Sequence, residues 1–203
     1  MKIVVLVEGA TEIAFKEKLT EFIRTRLGSK PPPKLVFRGE GGRIPMGDKL
    51  RKVVENLLSG QLAADAVIAL TDVYTGTNDF TSAADAKAKM RAWVGSNPKF
   101  HPHVAQHDFE AWLLPFWPTI QELAKHNKTA PSGKPETVNH NNPPAYRIKE
   151  IFELGKCRDS YQKPRDAKRI LKDKDLLVSA KACPELKAFL NTILQLCGGE
   201  LIA

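Results

Sequence analysis

The chain opens on Lys2-Ile3-Val4-Val5-Leu6-Val7, a β-branched run that stops at Glu8-Gly9-Ala10. A run that is apolar at successive positions suits a strand covered on both faces, which is the condition of a parallel sheet. The period then changes. Phe15, Leu19, Phe22, Ile23 and Leu27 recur at helical spacing, with Thr11 as N-cap, Glu12 in the first turn and Gly28 as the stop. The alternation continues. Lys34-Leu35-Val36-Phe37 reads as a second strand after Pro31-Pro32-Pro33, and a helix from about Gly47 to Leu58 follows. Ala66-Val67-Ile68-Ala69-Leu70 is a third strand ending at Thr71-Asp72, and Ala83 to Val94 a third helix. His103-Val104-Ala105-Gln106 is a fourth strand, and Phe109 to Leu114 a short helix limited by Pro115 and Pro118. Strands alternating with helices specify an α/β fold with a parallel sheet flanked by helices.

That core fills residues 1–125. Residues 126–145 are expected to be a loop or linker, being rich in Pro, Asn, Gly and Ser, and 146–203 a basic helical section packing on the core. A chain of 203 residues can bury most of its apolar surface in one core. No run approaches the ~18 apolar residues of a transmembrane helix, and Glu8 breaks the first run too early for a secretory leader. Cys157, Cys183 and Cys197 are scattered, odd in number and without CxxC spacing, so a cytoplasmic location is expected.

The acids fall at particular places. Glu8 follows the first strand, Asp72 closely follows the third, and Asp108 and Glu110 follow the fourth. Ligands of open parallel sheets bind at the carboxyl ends of the strands. Like charges gathered there need a neutraliser, and for oxygen ligands the natural one is Mg²⁺ or Mn²⁺. Taken singly, each of these acids is equally at home in a turn or cap.

Val7-Glu8-Gly9-Ala10-Thr11-Glu12 resembles the first motif of Toprim domains, and Leu70-Thr71-Asp72-Val73-Tyr74 stands in the place of their Asp-x-Asp motif. Asp108-Phe109-Glu110-Ala111-Trp112-Leu113 resembles the Phe-Glu motif of OLD-type and RloB-type Toprim proteins. Tyr146-Arg147-Ile148, Tyr161-Gln162-Lys163 and Lys181-Ala182-Cys183-Pro184 are similar to the C-terminal motifs of a small bacterial and archaeal Toprim-like family of unknown function. The resemblance covers nearly the whole chain. It departs at Val73-Tyr74, where the second Asp of Asp-x-Asp is missing; Asp79 lies further along the same loop.

The resemblance implies a metal-dependent nuclease that hydrolyses phosphodiesters, with Glu8, Asp72, Glu110 and Lys163 catalytic and Asp108 joining the three acids as a metal ligand. It also implies service as a defence effector beside a partner ATPase; the sequence has no Gly-x₄-Gly-Lys-Ser/Thr loop, so any ATP hydrolysis is expected from that partner. Arg147, Tyr161, Lys163 and Arg169 are expected near phosphate, as are Arg38 and Arg43 around the loop Gly39-Glu40-Gly41-Gly42. Arg165 and Lys168 are equally explained as a solvated helix face. Tyr74 and Tyr161 are nucleophiles by residue type only, so hydrolysis is favoured over a topoisomerase cycle. His103 and His107 would share one strand face; Trp112 and Trp117 are expected to pack beneath the site. The alternatives are a non-catalytic nucleic-acid- or protein-binding module with a degenerate metal site, or a small-molecule phosphohydrolase or transferase on the same scaffold.

The net charge of +8 resolves accordingly. Residues 24–52 hold nine Lys/Arg against two acids, and 156–174 eight against three, leaving the remainder net acidic. Cations for a backbone and carboxylates for a metal suit a nucleic-acid ligand without any membrane.

Overall fold

The computed structural model describes residues 1–73, 79–138, 141–156 and 160–203. Tyr74, the rest of the polar loop at 74–78, and Cys157 lie outside the described residues.

Strands β1 (Lys2–Val7), β2 (Lys34–Gly39), β3 (Ala66–Val73) and β4 (Phe100–Gln106) form one parallel sheet in the order β2-β1-β3-β4. Helices α1 (Ala10–Leu27), α2 (Asp48–Leu57) and α3 (Ala83–Val94) make the connections. Every residue of β3 is buried, as its apolar run requires. On one face Ile3, Val5, Val7, Ile68 and Leu70 pack with Phe15, Leu19 and Ile23 of α1. On the other Val4, Leu6, Val67 and Ala69 pack with Leu50 and Val54 of α2 and Met90 of α3. The expected α/β fold with helices on both faces is present.

Beyond β4 come two 3-10 turns (Phe109–Trp112 and Leu114–Phe116), then α4 (Trp117–Ala124), α5 (Pro144–Leu154), α6 (Lys163–Leu171), α7 (Leu176–Ala182) and α8 (Pro184–Leu196). Ile148, Ile151, Phe189, Leu190 and Ile193 of α5 and α8 join the core on the α1 side of the sheet. Trp112 is fully buried there, stacked on Phe189 at 5.9 Å and edge-on to Phe109 at 5.4 Å. No helix among the described residues is long and apolar enough to cross a membrane.

The structure shifts several boundaries. β3 runs on to Val73, so Asp72 lies inside the strand and not after it. β4 begins at Phe100 and contains Pro102, tolerated because β4 is an edge strand. Pro118 does not limit a helix: it sits in the first turn of α4, where no N–H is needed. α5 likewise starts on Pro144, two residues ahead of Tyr146.

Candidate carboxylate site at the strand ends

Glu8 leaves β1 and turns back over β3. Its Oε1 accepts the backbone N–H of Asp72 at 3.0 Å and the hydroxyl of Thr71. Its own carbonyl accepts the N–H of Gly42 at 2.6 Å, which lays the glycine loop over the end of β1. One turn into α1, the Glu12 carboxylate accepts the N–H of Gly9 at 3.1 Å. Glu8, Glu12 and Asp72 are all less than a tenth exposed.

The acids after β4 are deeper still, Asp108 at 2% and Glu110 at 1% exposure. Oδ2 of Asp108 accepts the N–H of Ala145, at the first turn of α5, at 3.0 Å. Glu110 accepts the Tyr161 hydroxyl at 3.2 Å and meets the Lys163 ammonium at 3.4 Å. The starts of α5 and α6 therefore both reach the carboxylates presented by the sheet.

The electrostatics follow from the crowding. Burial, then Glu8, Glu12, Asp108 and Glu110, push the Asp72 carboxyl well above the usual range. Burial and Glu110 push Asp108 up to about 7. Burial, with Glu8 and Glu110 adding, raises Glu12. Burial works to lower Lys163, but Glu110, Asp108 and Asp72 outweigh it and raise the ammonium. Burial and then Glu110 drive Tyr161 far up, so it stays a protonated donor.

The donor chemistry fits a divalent cation. The donors are carboxylate oxygens, as Mg²⁺ and Mn²⁺ select. Oδ1 of Asp108 is buried with no hydrogen-bond partner among the described residues. Raised carboxyls hold protons that a divalent ion would displace. Among the described residues, however, no three His, Cys, Asp or Glu side chains already converge on one ion position, so ligation requires these side chains to turn.

The other expected residues are placed as follows. Arg38 pairs with Glu40 and Arg43 with Asp79, each at 2.8 Å, so Asp79 is engaged at the glycine loop. Arg147 sits near Glu150 at 3.8 Å and lines, with Lys128 and Trp117, a hollow whose lining includes none of Glu8, Glu12, Asp72, Asp108 and Glu110. Arg169 binds Asp166 at 3.1 Å. His103 and His107 do not share a strand face. β4 ends at Gln106 and His107 turns the chain at φ 71°. His103 bonds Thr192 at 2.9 Å, and burial presses its pKa down to about 3. Cys183 is buried and Cys197 partly buried, both as free thiols.

Three buried acids, one at the strand-end site and two anchoring other segments, were not singled out by sequence. Glu12 reads as a first-turn helix acid, although its spacing of one helical turn from Glu8 places both at the same sheet edge. Asp166 is wholly buried beneath Arg165 and Arg169. Glu136, 7% exposed, accepts Trp112 Nε1 at 3.2 Å and the Glu185 N–H at 3.1 Å, capping α8 from a distant loop. Only the first carries a signal in its spacing.

Residues 7–194 match the family described as Domain of unknown function (DUF4276). No curated protein matches. Among solved structures, the C-terminal region of the Burkholderia pseudomallei OLD protein is similar with a TM-score of 0.57 at 12% identity, covering 96% of this chain and 98% of that one. The C-terminal region of the Xanthomonas campestris pv. campestris OLD protein aligns over 97% and 96% with a TM-score of 0.48 at 12% identity. The expected α/β fold, a parallel sheet flanked by helices, is thereby borne out, and it is similar to the fold of that Burkholderia OLD C-terminal region. At this identity the likeness is one of fold.

Proposed function

The chain belongs to the family described as Domain of unknown function (DUF4276), and from that footing we propose that it is a divalent-metal-dependent phosphodiester hydrolase acting on nucleic acid. The observation that carries this reading is the gathering of Glu8, Glu12, Asp72, Asp108 and Glu110, all buried, at the carboxyl edge of the sheet beside the Lys163 ammonium. Asp72, Asp108, Glu110 and Glu8 are the residues that would hold the ion. Bound there, it would supply charge stabilisation at a phosphoryl oxygen and an acidified water.

The chain's own residues complete the reading. Thr71 and the Asp72 N–H fix Glu8 Oε1, holding one carboxylate orientation for proton transfer. Lys163 is half exposed and charged, so it can meet a phosphate while touching Glu110. Tyr161 is buried, protonated and committed to Glu110, which supports hydrolysis over transfer to a tyrosine. Service as a defence effector beside a partner ATPase, in the cytoplasm, is part of the proposal, resting on the Toprim resemblance of the sequence motifs.

A second reading, a nucleic-acid-binding module that does not cut, is favoured by one observation: the Lys163 ammonium already neutralises Glu110. Plasmid nicking with Mg²⁺ or Mn²⁺ separates the two. Wild type should nick, and Glu8→Ala and Asp72→Ala should not. Binding without nicking, or equal nicking by all three proteins, rejects hydrolysis at this site.

A further inference from the structure

Helix α6 begins at the carboxylate site, with Lys163 on Glu110, and then runs beside α1. Its buried face is Ala167, Ile170 and Leu171, together with an acid, Asp166, at 0% exposure. Lys168, Arg169 and the following Lys172 are exposed. With Arg165 they recur at spacings of three and four residues, so they form one outward stripe. It covers about 10 Å at ~1.5 Å per residue, the axial length of about three nucleotides of one strand at ~3.4 Å each.

A solvated lysine face would need no organisation, and this stripe has one. Asp166 accepts the N–H of Gln162 at 2.8 Å, Arg165 through Nε at 3.0 Å and a terminal nitrogen at 3.1 Å, and Arg169 at 3.1 Å. One buried carboxylate thus fixes two guanidiniums whose side chains are 43% and 49% exposed. The pair keeps a surplus positive charge, and arginine held in place is a preorganised donor for phosphate oxygens. Beside the stripe a groove of about 350 Å³ is lined by Lys18, Lys168, Arg169 and Lys172. The acids along it are Glu17, Glu21 and Asp173. Glu17, 86% exposed, stands 3.9 Å from Lys168, while Glu21, 66% exposed, pairs with Lys18. Such exposed pairs open at little cost.

We infer that the outer face of α6 is a track for the phosphodiester backbone of a nucleic acid, leading to the carboxylates at Lys163, with Asp166 as the positioning residue of its arginines. The inference rests on the reading of the chain as acting on nucleic acid, but needs binding only and no cutting.

The test is fluorescence anisotropy with a fluorescein-labelled single-stranded and a duplex oligonucleotide, in EDTA, over a salt series. Lys168→Gln/Arg169→Gln/Lys172→Gln should bind about tenfold or more weakly, and its log K against log salt slope should be flatter by about 2–3. Arg169→Lys should weaken binding with the slope kept, because it retains charge and loses the fork. Asp166→Asn, checked for folding by circular dichroism, should weaken binding as well; a purely structural Asp166 would leave the folded protein binding normally. A wild type that does not bind, or a triple variant within about twofold of wild type at an unchanged slope, overturns the track. Mn²⁺-dependent nicking by such a triple variant leaves hydrolysis standing while the track falls. Lost binding in the variant beside a wild type that never nicks does the reverse.

Discussion

The Lys163 ammonium lies 3.4 Å from Glu110, a carboxylate 1% exposed, so the first residue of α6 brings a cation onto the deepest acid of the sheet edge. Breaking a fully buried pair costs about 3–5 kcal/mol, but Lys163 is half exposed and solvent replaces part of the loss. Lys163→Met should therefore destabilise the metal-free protein by about 1–2 kcal/mol, which is about 2–8 °C in Tm. Mn²⁺ should narrow the gap by taking the ammonium's place. Thermal melts in EDTA and in Mn²⁺ check this; equal melting of the two proteins in EDTA contradicts it.

Asp72 is costly to keep charged, with burial and four neighbouring carboxylates against it. Asp72→Asn should raise the Tm of the metal-free protein at pH 8 while abolishing nicking, the trade expected of a residue retained for function. Denaturant unfolding beside the nicking assay measures both. A variant less stable than wild type at pH 8 speaks against crowded like charges at this edge.

The same crowding gives stability a pH dependence of definite sign. Asp108 at about 7 and Asp72 well above its usual value bind protons in the folded state that an unfolded chain, with carboxyls near ~4, has released. Stability is therefore lost as pH rises through these folded values. His103, held neutral down to about 3, and His101, also lowered by burial, act oppositely, an effect that fades within about one pH unit above the unfolded histidine value of ~6.5. Between pH 6.5 and 8.5 the raised acids outweigh the fading effect of the histidines, at up to about 1 kcal/mol per pH unit for each group still titrating, and the Cys183 thiol, raised by burial, acts in the same direction toward the alkaline end. Chemical denaturation in EDTA should show falling stability across this window, and Mn²⁺ should flatten it. Stability rising from pH 6.5 to 8.5 would contradict the assignment.

Glu136 is a purely structural counterpart. Its carboxylate holds the Glu185 and Leu186 N–H groups and Trp112 Nε1. Glu136→Ala strands these donors and should cost about 2–4 kcal/mol, whereas Glu136→Gln, which keeps an acceptor, should cost less than half of that. Urea unfolding at constant m-value separates the two variants, and equal losses would mean that the carboxylate is not the cap of α8.

The strands were legible because burial on both faces writes itself as unbroken apolar runs, and β1 and β3 show this most plainly. Glu8, Asp72, Asp108 and Glu110 were legible because a parallel sheet sends every strand end to one edge. Glu12 was hidden by its ordinary role as a first-turn acid. Asp166 and Glu136 were hidden because their partners are brought to them by folding: Glu136 meets α8 49 residues along the chain. The same reason explains the arginines of the glycine loop. Arg38 and Arg43 are basic residues beside flexible glycines, and only the fold reveals Glu40 and Asp79 against them. Surface pairs of that kind are weak and leave little trace in the sequence.

The most direct test is anomalous diffraction from crystals soaked in Mn²⁺. The expected result is a manganese peak bounded by Asp72, Asp108, Glu110 and Glu8, with Lys163 moved off Glu110. Full soaking with no peak among these four carboxylates would contradict the metal-centred site from which the hydrolase reading proceeds.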